Sequence, residues 1–280
     1  MRQHWVDPHT PLPPPDQDVP GYPGLIALGT DLSAERLLEA YRQGMFPWYS
    51  DGQPVLWWSP DPRMVVFVDT FRPPRSLRQL LKQLHRQSLS DQAPWRLSLD
   101  RAFERVMRAC AAPREADGGG TWITEDIIRA YTALHQHGHA HSVEVWEGDT
   151  LIGGLYGVGL GRMFYGESMF TRRPNASKCA FAALMHLLRQ QGFHMVDCQQ
   201  STAHLRSLGG QELARPDFLA RLPALLAQPT PDWSTLRLSW PHDWPLPPAT
   251  PSVDPSRVHP PEATITGNTC ASSSGAASAP

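Results

Sequence analysis

Three polar residues in the second half of the chain have the types and the spacing to do chemistry. Asp197 and Gln199 stand two apart in the segment FHMVDCQ, residues 193–199, and alternate residues of a strand project to one face. Cys198, between them, is therefore expected on the other face, in the core. Glu167 belongs to an earlier segment, FYGESMF, and is expected where that strand parts from its neighbour. A carboxylate or an amide in such a place can accept a proton or align a reacting group, so Asp197, Gln199 and Glu167 are the predicted catalytic residues.

A predicted sheet positions these three residues. HSVEVWE alternates apolar and polar residues, a Gly-Asp turn follows, TLIGGLYGV returns as its partner, and two further glycines turn the chain into RMFYGESMF. A helix over residues 175–192 then leads to the strand that contains Asp197. A crossover through a helix leaves two strands parallel, and ligands bind where the ends of such strands part. The predicted fold class is α+β, with a small N-terminal domain followed by an acyl-CoA N-acyltransferase-like domain built from an antiparallel meander plus strand–helix–strand.

Composition divides the chain into four parts. The 29 prolines cluster at the two ends, where they oppose regular packing. We predict an irregular arm over residues 1–20, a small N-terminal domain over 21–70, an N-acyltransferase-like catalytic domain over 71–227, and a tail over 228–280. The tail is expected to be mostly disordered, from about Pro241 onward, although its segment LRLSW could add a strand or dock on the body.

Three helices have a residue suited to capping their first turn. Ser33, Asp100 and Thr124 each precede a periodic apolar run, and such side chains accept hydrogen bonds from first-turn amides. Tyr131 falls on the face predicted to be buried in the helix that Thr124 begins.

Charge and cysteine usage narrow the functional classes. The net charge is −2, so binding to nucleic acid requires a local basic patch. The four cysteines show no paired spacing, which argues against a zinc site or a disulfide framework and favours a reducing cytoplasm. The histidines near residue 138 lack a carboxylate at ligand spacing, so no metal is expected. No segment has the pattern of a signal peptide or a membrane span.

One candidate basic patch lies on an amphipathic helix within residues 71–86. Its leucines form one stripe, and a second face carries Arg75, Arg78, Lys82 and Arg86. Such charges commonly form a solvated outer face. The alternative is a surface that follows sugar–phosphate backbones, which Lys and Arg bind regardless of sequence.

The segment TRRPNASK bears on the acyl carrier. N-acyltransferases hold the CoA pyrophosphate with a glycine-rich turn at the start of the helix that follows the meander. Here that turn contains no glycine, and Pro174 removes one backbone donor. The sequence therefore indicates an acyl-transfer cleft that uses another carrier, and no cofactor is expected.

Nine motifs in a fixed order resemble the bacterial leucyl/phenylalanyl-tRNA–protein transferases. They are PGLIALGTDLSAERLLEAYRQGMFPWYS, LWWSPDPR, GTWIT, AHSVEVW, GGLYGV, FYGESMF, NASK, VDCQ and HLRSLGG, which span roughly Tyr22 to Leu226. Departures are small: Thr30 and Gly210 replace the residues usual in GGD and SLGA, extra glycines precede TWIT, and the tail is long. Thr30 and Gly210 do not touch the proposed chemistry.

The resemblance implies an aminoacyltransferase of the N-end rule, which marks proteins for degradation in the cytoplasm. Leu, Phe or sometimes Met would move from aminoacyl-tRNA to the α-amine of a protein that begins with Arg or Lys. The basic helix would then contact the tRNA. The nucleophile comes with the acceptor, whose α-amine has a pKa of about 7.7–8.0, so no serine or cysteine nucleophile is required. We expect a monomer with no membrane partner.

Family likeness also suggests substrate-binding residues. Trp48 and Trp122 would stack on the terminal adenine. The aminoacyl side chain would lie against Leu155, Phe164 and Met169, and Tyr131 belongs to the same predicted substrate-binding set. Asp197 would accept a proton or hydrogen bond from the incoming amine, directly or through Gln199. Glu167 would accept from the terminal ribose or the donor α-amine.

Two alternatives stay open at the level of the sequence. One is a tRNA-dependent aminoacyltransferase that acts on another amine, such as a cell-wall peptide. The other is a non-catalytic protein that binds aminoacyl-tRNA and leaves its ester intact. Comparing acceptors that begin with Arg or Lys with lysine-bearing cell-wall peptides would test the first alternative, and an ester left intact in the presence of a basic N-terminal peptide would indicate the second.

Overall fold

The first half of the chain begins with a small sheet and one helix. The computed structural model describes residues 4–90, 93–112 and 121–243. The sheet has the order β1-β2-β4-β3, and its strands are β1 (Trp5–Val6), β2 (Leu25–Gly29), β3 (Phe46–Pro47) and β4 (Val55–Trp58). Helix α1 (Ala34–Arg42) begins where predicted, because the Ser33 hydroxyl accepts from the Arg36 amide at 3.2 Å. The structure differs in one respect from the irregular arm predicted over residues 1–20, since β1 in this region pairs in parallel with β2.

The second sheet has seven strands and carries the candidate site. Its order is β11-β5-β10-β9-β8-β7-β6, and the strands are β5 (Arg63–Phe67), β6 (Arg96–Leu99), β7 (Ala140–Glu147), β8 (Thr150–Leu160), β9 (Met163–Thr171), β10 (Met195–Gln199) and β11 (Gln211–Leu213). The meander β7-β8-β9 is antiparallel, and helix α5 (Ala176–Gln190) returns the chain so that β10 lies parallel to β9. The molecule is thus a mixed α/β fold with a mixed sheet, in which the antiparallel meander and the parallel pair after the helical crossover are as predicted.

Strand β5 differs from the predicted domain division. It falls within the range 21–70 assigned to the small domain, yet it pairs with β10 on one side and β11 on the other. The second sheet therefore begins before residue 71.

Helices cover both faces of the large sheet. Besides α5, they are α2 (Arg75–Ser88), α3 (Phe103–Ala111), α4 (Glu125–Gln136), α6 (Ala203–Ser207) and α7 (Arg215–Leu226). One core contains buried residues of α1, α3, α4 and α7, and the other contains the leucine stripe of α2 against α5. Helix α2 starts no earlier than Arg75, because Pro74 at the N-cap has an extended ψ of 153° and a proline disfavours helical backbone in the residue before it.

Two of the predicted caps can be compared directly. The Thr124 hydroxyl accepts from the Ile127 amide at 3.3 Å, which confirms the start of α4. Asp100 is not a cap, since α3 has Ala102 at that position and no side-chain hydrogen bond. The Asp100 carboxylate instead accepts from the Ser142 amide at 2.7 Å and contacts the His141 ring, so it ties the β6–α3 connection to β7.

The first part of the predicted tail packs on the body, which is one of the two outcomes expected for LRLSW. Trp233 begins a short 3-10 helix (Trp233–Thr235), and Trp233 and Trp240 are 5% and 4% exposed within the α2–α5 core. LRLSW docks and forms no strand in the described range. The rest of that prediction, residues 244–280, lies outside the described residues. Across the part of the chain that the structure describes, no helix combines the length and the apolar character needed to cross a bilayer.

Candidate active site

Glu167 is the centre of a hydrogen-bonded cluster between two helices and two strands. From β9, its Oε1 accepts from the Tyr41 hydroxyl at 2.7 Å and from Gln199 Nε2 at 2.9 Å. Its Oε2 accepts from the Tyr131 hydroxyl at 3.2 Å. Tyr41 on α1 and Tyr131 on α4 are both fully buried, and their hydroxyls contact each other. The carboxyl group is thus fixed by three donors from separate elements.

Burial sets the protonation of this cluster. It raises the pKa of Glu167 to about 7; the Tyr41 hydrogen bond lowers that pKa, and the charge of Asp197 raises it further. Burial and the Glu167 charge hold the pKa values of Tyr41 and Tyr131 well above their usual range. Both phenols therefore stay protonated and donate hydrogen bonds. A carboxyl group that titrates near neutrality is suited to accept a proton.

Asp197 is placed differently from the prediction. Its carboxylate is fully buried in a two-pronged ion pair with Arg63, at 2.8 Å from Nε and 2.6 Å from Nη2. The Arg63 Nη1 donates to the Gly44 carbonyl at 2.9 Å, and its guanidinium lies over the rings of Phe46 and Phe218. Asp197 lines neither of the cavities beside Glu167. The expectation that Asp197 faces the cleft is therefore wrong.

A bulge explains the difference. The pairing of β10 with β5 shifts between Asp197 and Gln199, and Gln199 has φ +63°. Strict alternation ends at a bulge, so Gln199 turns toward Glu167 while Asp197 points to Arg63. The backbone amide of Gln199 donates to Asp197 Oδ1 at 2.8 Å. Cys198 is half-buried, packs against the core that contains α2 and α5, and also lines both cavities, so its predicted place in the core holds only in part.

Two adjoining cavities meet at Glu167. One, of about 310 Å³, has aromatic walls from Phe46, Trp48 and Trp122 and also contacts Gln199. The other, of about 350 Å³, is mainly apolar and is lined by Leu155, Phe164, Met169, Phe181, Leu184 and Val196, among others. The two share Glu167, Cys198, Thr202 and Leu205. Together they can hold an aromatic base beside a large apolar group.

Most of the predicted substrate-binding side chains reach these cavities. Trp48 is 40% exposed and Trp122 is half-buried, as expected for faces available to a ligand. Leu155, Phe164 and Met169 lie together in the apolar cavity. Tyr131 does not line either cavity, because its ring is buried on the inner face of α4 and only its hydroxyl reaches Glu167.

Sequence reasoning missed Arg63 and Tyr41. Tyr41 resembled any apolar residue on the inner face of α1, and Arg63 belonged to an aromatic, proline-rich segment. Their partners are 134 and 126 residues away along the chain, and the spacing of residues carries no signal for such pairings.

The predicted tRNA-binding residues lie on the outer side of α2. Arg75, Lys82 and Arg86 are exposed and Arg78 is half-buried, while Leu77, Leu81 and Leu84 face the core. Within the described ranges, no group of three or more His, Cys, Asp or Glu residues is arranged to hold a metal ion.

Comparison with known proteins identifies a matching family and similar relatives. Residues 65–223 match the family described as leucyl/phenylalanyl-tRNA protein transferase, and residues 30–61 match its N-terminal domain. A leucyl/phenylalanyl-tRNA–protein transferase of Janthinobacterium sp. (strain Marseille) is 49% identical over 85% of this chain and 99% of its own length. One of Ralstonia pickettii (strain 12J) is 54% identical over 78% and 87%. The solved structure of FemX covers 64% of this chain and 66% of its own, with 12% identity and a TM-score of 0.37.

Proposed function

The chain belongs to the leucyl/phenylalanyl-tRNA–protein transferase family, and we propose that it transfers Leu, Phe or Met from aminoacyl-tRNA to proteins that begin with Arg or Lys. The acceptor is the N-terminal α-amine, and the product is marked for degradation. The observation that carries this proposal is the position of Glu167 between an aromatic and an apolar cavity. A charged tRNA ends in a base and an apolar side chain, joined by a ribose and an ester, and this site matches that order.

Each part of the donor has a place in the site. The adenine stacks on Trp48 and Trp122, a contribution of ~1–3 kcal/mol per base in single-stranded RNA complexes. The amino-acid side chain enters the cavity of Leu155, Phe164 and Met169. A pocket that only buries methylene groups discriminates by about 10–200-fold per group, which suits a choice among several large apolar residues.

In the reaction the acceptor amine attacks the ester carbonyl. A C–N bond forms, the amine proton passes to Glu167, and the C–O bond to the ribose breaks. Glu167 then returns its proton to the departing ribose oxygen, so atoms and charges balance. The raised pKa of Glu167, about 7, matches the exchange of a proton with an amine near neutral pH.

Gln199 and Asp197 divide the remaining work. Gln199 contacts the substrates and orients Glu167 through its Nε2 donor. Asp197 is a positioning residue: it holds the backbone amide of Gln199 and does not reach the cavities. This revises the expected role of Asp197 as the group that meets the amine, and it adds Arg63 as the partner that holds Asp197.

The wider setting follows from the donor. Arg75, Arg78, Lys82 and Arg86 contact phosphates of the tRNA. The enzyme acts as a monomer in the cytoplasm, where charged tRNA is available. Its large sheet is of the N-acyltransferase type, and its catalytic domain begins with β5.

Transfer of labelled Leu from charged tRNA to a peptide that begins with Arg tests the proposal. We expect labelled peptide for N-terminal Arg or Lys and none for the matched peptide that begins with Glu. Transfer to a lysine-bearing cell-wall peptide instead would favour the other amine acceptor. An intact ester in the presence of every acceptor would favour the non-catalytic protein.

A further inference from the structure

A third opening, of about 450 Å³, lies next to the apolar cavity. It is lined by Met169, Phe170, Arg172, Ser177 and His204, among others, and it shares Met169 and His204 with that cavity. The proposed reaction leaves this opening unused. Its wall on one side is the first turn of α5.

The first turn of α5 presents unused hydrogen-bond donors. Asn175, at the N-cap, makes no side-chain capping bond. The Ala176 amide donates to the Arg173 carbonyl and the Cys179 amide to the Asn175 carbonyl. No described residue accepts from the amides of Ser177 and Lys178, and none bonds the Ser177 hydroxyl.

Ser177 is the second, independent sign of a ligand. It is only 7% exposed, and buried polar groups are hydrogen-bonded in the great majority of cases. Its hydroxyl is not one of the enclosed side-chain atoms that lack a partner, so it is open to the cavity that Ser177 lines. A ligand with acceptor oxygens in the opening would bond the hydroxyl and the adjoining amides together.

The charge of the opening selects an anion. The start of a 15-residue helix carries partial positive charge, and it is a common site for phosphate groups. Arg172 is exposed at the same opening, with its side chain over the Phe170 ring. The acceptor begins with a cation and is disfavoured here. The donor, by contrast, carries a phosphodiester on each nucleotide that precedes the terminal adenosine.

We propose that this opening binds a backbone phosphate of the single-stranded 3′ end of the tRNA, through the Ser177 and Lys178 amides, the Ser177 hydroxyl and Arg172. The proposal rests on the proposed function for the identity of the ligand. It adds a phosphate subsite on α5, separate from the basic face of α2.

Direct binding tests the subsite without requiring catalysis. The probes are the trinucleotide CCA and the same trinucleotide with uncharged methylphosphonate linkages, titrated by calorimetry. We expect the wild-type protein to bind the charged form more tightly. Ser177→Asp should lower affinity for the charged form roughly 10- to 100-fold, since hydrogen bonds to a charged group contribute ~1.5–3 kcal/mol, and leave affinity for the neutral form nearly unchanged.

A matched control separates repulsion of the phosphate by an aspartate at position 177 from the general effect of adding one negative charge to the protein. Ser76 occupies the same second position of α2 and is exposed, so Ser76→Asp should not alter trinucleotide binding. Should Ser177→Asp fail to fold, the exposed Arg172→Gln decides, with an expected loss of about two- to fivefold against no loss for Arg221→Gln.

Three outcomes would overturn the subsite: no binding by the wild type, equal affinity for the two probes, or a preference for the charged probe that survives both substitutions. The transfer assay is separate. A protein that prefers the charged trinucleotide but transfers nothing to Arg peptides would retain the subsite and lose the proposed function.

Discussion

At the level of single residues, burial and hydrogen bonding compete at Glu167. Burial favours the neutral acid, while the hydroxyls of Tyr41 and Tyr131 favour the carboxylate, and burial prevails, with a pKa of about 7. The result is a group that changes protonation in the range where an acceptor amine also does.

Glu167→Gln should remove one limb of the pH–rate profile. In the wild type, kcat/KM should rise with pH as Glu167 loses its proton near 7 and as the acceptor amine loses its own near 7.7–8.0. The variant should be slower by roughly 10²–10⁴-fold, the usual contribution of a positioned base. Its kcat/KM should show only the rise that comes from deprotonation of the acceptor amine. Measuring kcat/KM from pH 5.5 to 9 checks this, and an unchanged lower limb would assign it to another group.

The same substitution should stabilise the fold at alkaline pH. An acid whose pKa is raised by folding binds its proton more tightly in the folded state, so stability declines as pH rises from about 4.5 to about 7. The decline is on the order of 3 kcal/mol for a rise of this size. Glu167→Gln should therefore unfold at a higher urea concentration than the wild type at pH 8 and at a similar one at pH 4. Identical midpoints at both pH values would mean that the carboxyl is not desolvated.

Substitutions in the Arg63–Asp197 pair can separate the positioning role of Asp197 in catalysis from its contribution to folding stability. Asp197→Ala leaves Arg63 buried without its partner, which typically costs 3–5 kcal/mol, and it removes the acceptor of the Gln199 amide. Replacing both partners, with Asp197→Leu and Arg63→Met, should recover most of the stability because an apolar pair has no charge to desolvate. We expect kcat to stay low in both variants while the Kd for tRNA changes little. Recovery of kcat in the double variant would reduce Asp197 to a structural role.

At the level of elements, local patterns predicted what local interactions decide. The glycine turns located the β7-β8-β9 meander, and Ser33 and Thr124 marked helix starts because each cap bonds within three residues. Asp100 has the residue type of a cap, but a distant strand offers its carboxylate a better donor in Ser142. Residue type alone does not distinguish these two fates.

The sequence predicted most of the residues that form the site but not how they are arranged. Period-two reasoning put Asp197 and Gln199 on one face, and the bulge at Cys198 separates them. A bulge depends on how β10 pairs with β5, more than a hundred residues earlier. Tyr131 was assigned correctly to a buried helix face, but the depth that removes it from the cavity comes from packing against Tyr41 and Tyr156.

The outer face of α2 should determine the salt dependence of tRNA binding. Removing one cation that binds a phosphate lowers the slope of log K against log salt by about 0.7–0.9. The double variant Arg75→Gln, Lys82→Gln should therefore reduce the slope by roughly 1.4–1.8, with kcat at saturating tRNA unchanged. The matched control is Arg101→Gln, Arg221→Gln, which removes two exposed charges from other elements. Equal slopes in the two double variants would return α2 to a solvated surface.

At the level of the whole molecule, the site depends on contacts between the two sheets. Tyr41 follows the first sheet's β2 in the chain and reaches Glu167 on β9, and the Tyr165 hydroxyl returns a bond to the Tyr41 carbonyl at 2.7 Å. Arg63, on β5, joins the Gly44 carbonyl to Asp197. Displacement of the small N-terminal sheet would therefore disturb Glu167 and Gln199 together.

The C-terminal segment makes a comparable contribution from the other side of the large sheet. Trp233 stacks on the His141 ring at 3.9 Å and packs against Phe164 and Phe193. Gly159 permits this approach, since a Cβ there would lie 2.9 Å from the indole. Phe164 also lines the apolar cavity, so the segment after α7 supports the wall of the proposed aminoacyl pocket.

Trp233→Ala should therefore affect both stability and donor choice. Loss of a buried tryptophan costs about 3–5 kcal/mol, whereas Trp5→Ala, at a position 43% exposed, should cost far less and serves as the control. Because Phe164 would lose one side of its packing, the pocket should fit large side chains less closely, and the kcat/KM ratio between Phe and Leu donors should shift by a few-fold. Urea unfolding and transfer with the two charged tRNAs measure these effects. A variant that is destabilised but keeps the wild-type donor ratio would show that the segment holds the fold without shaping the pocket.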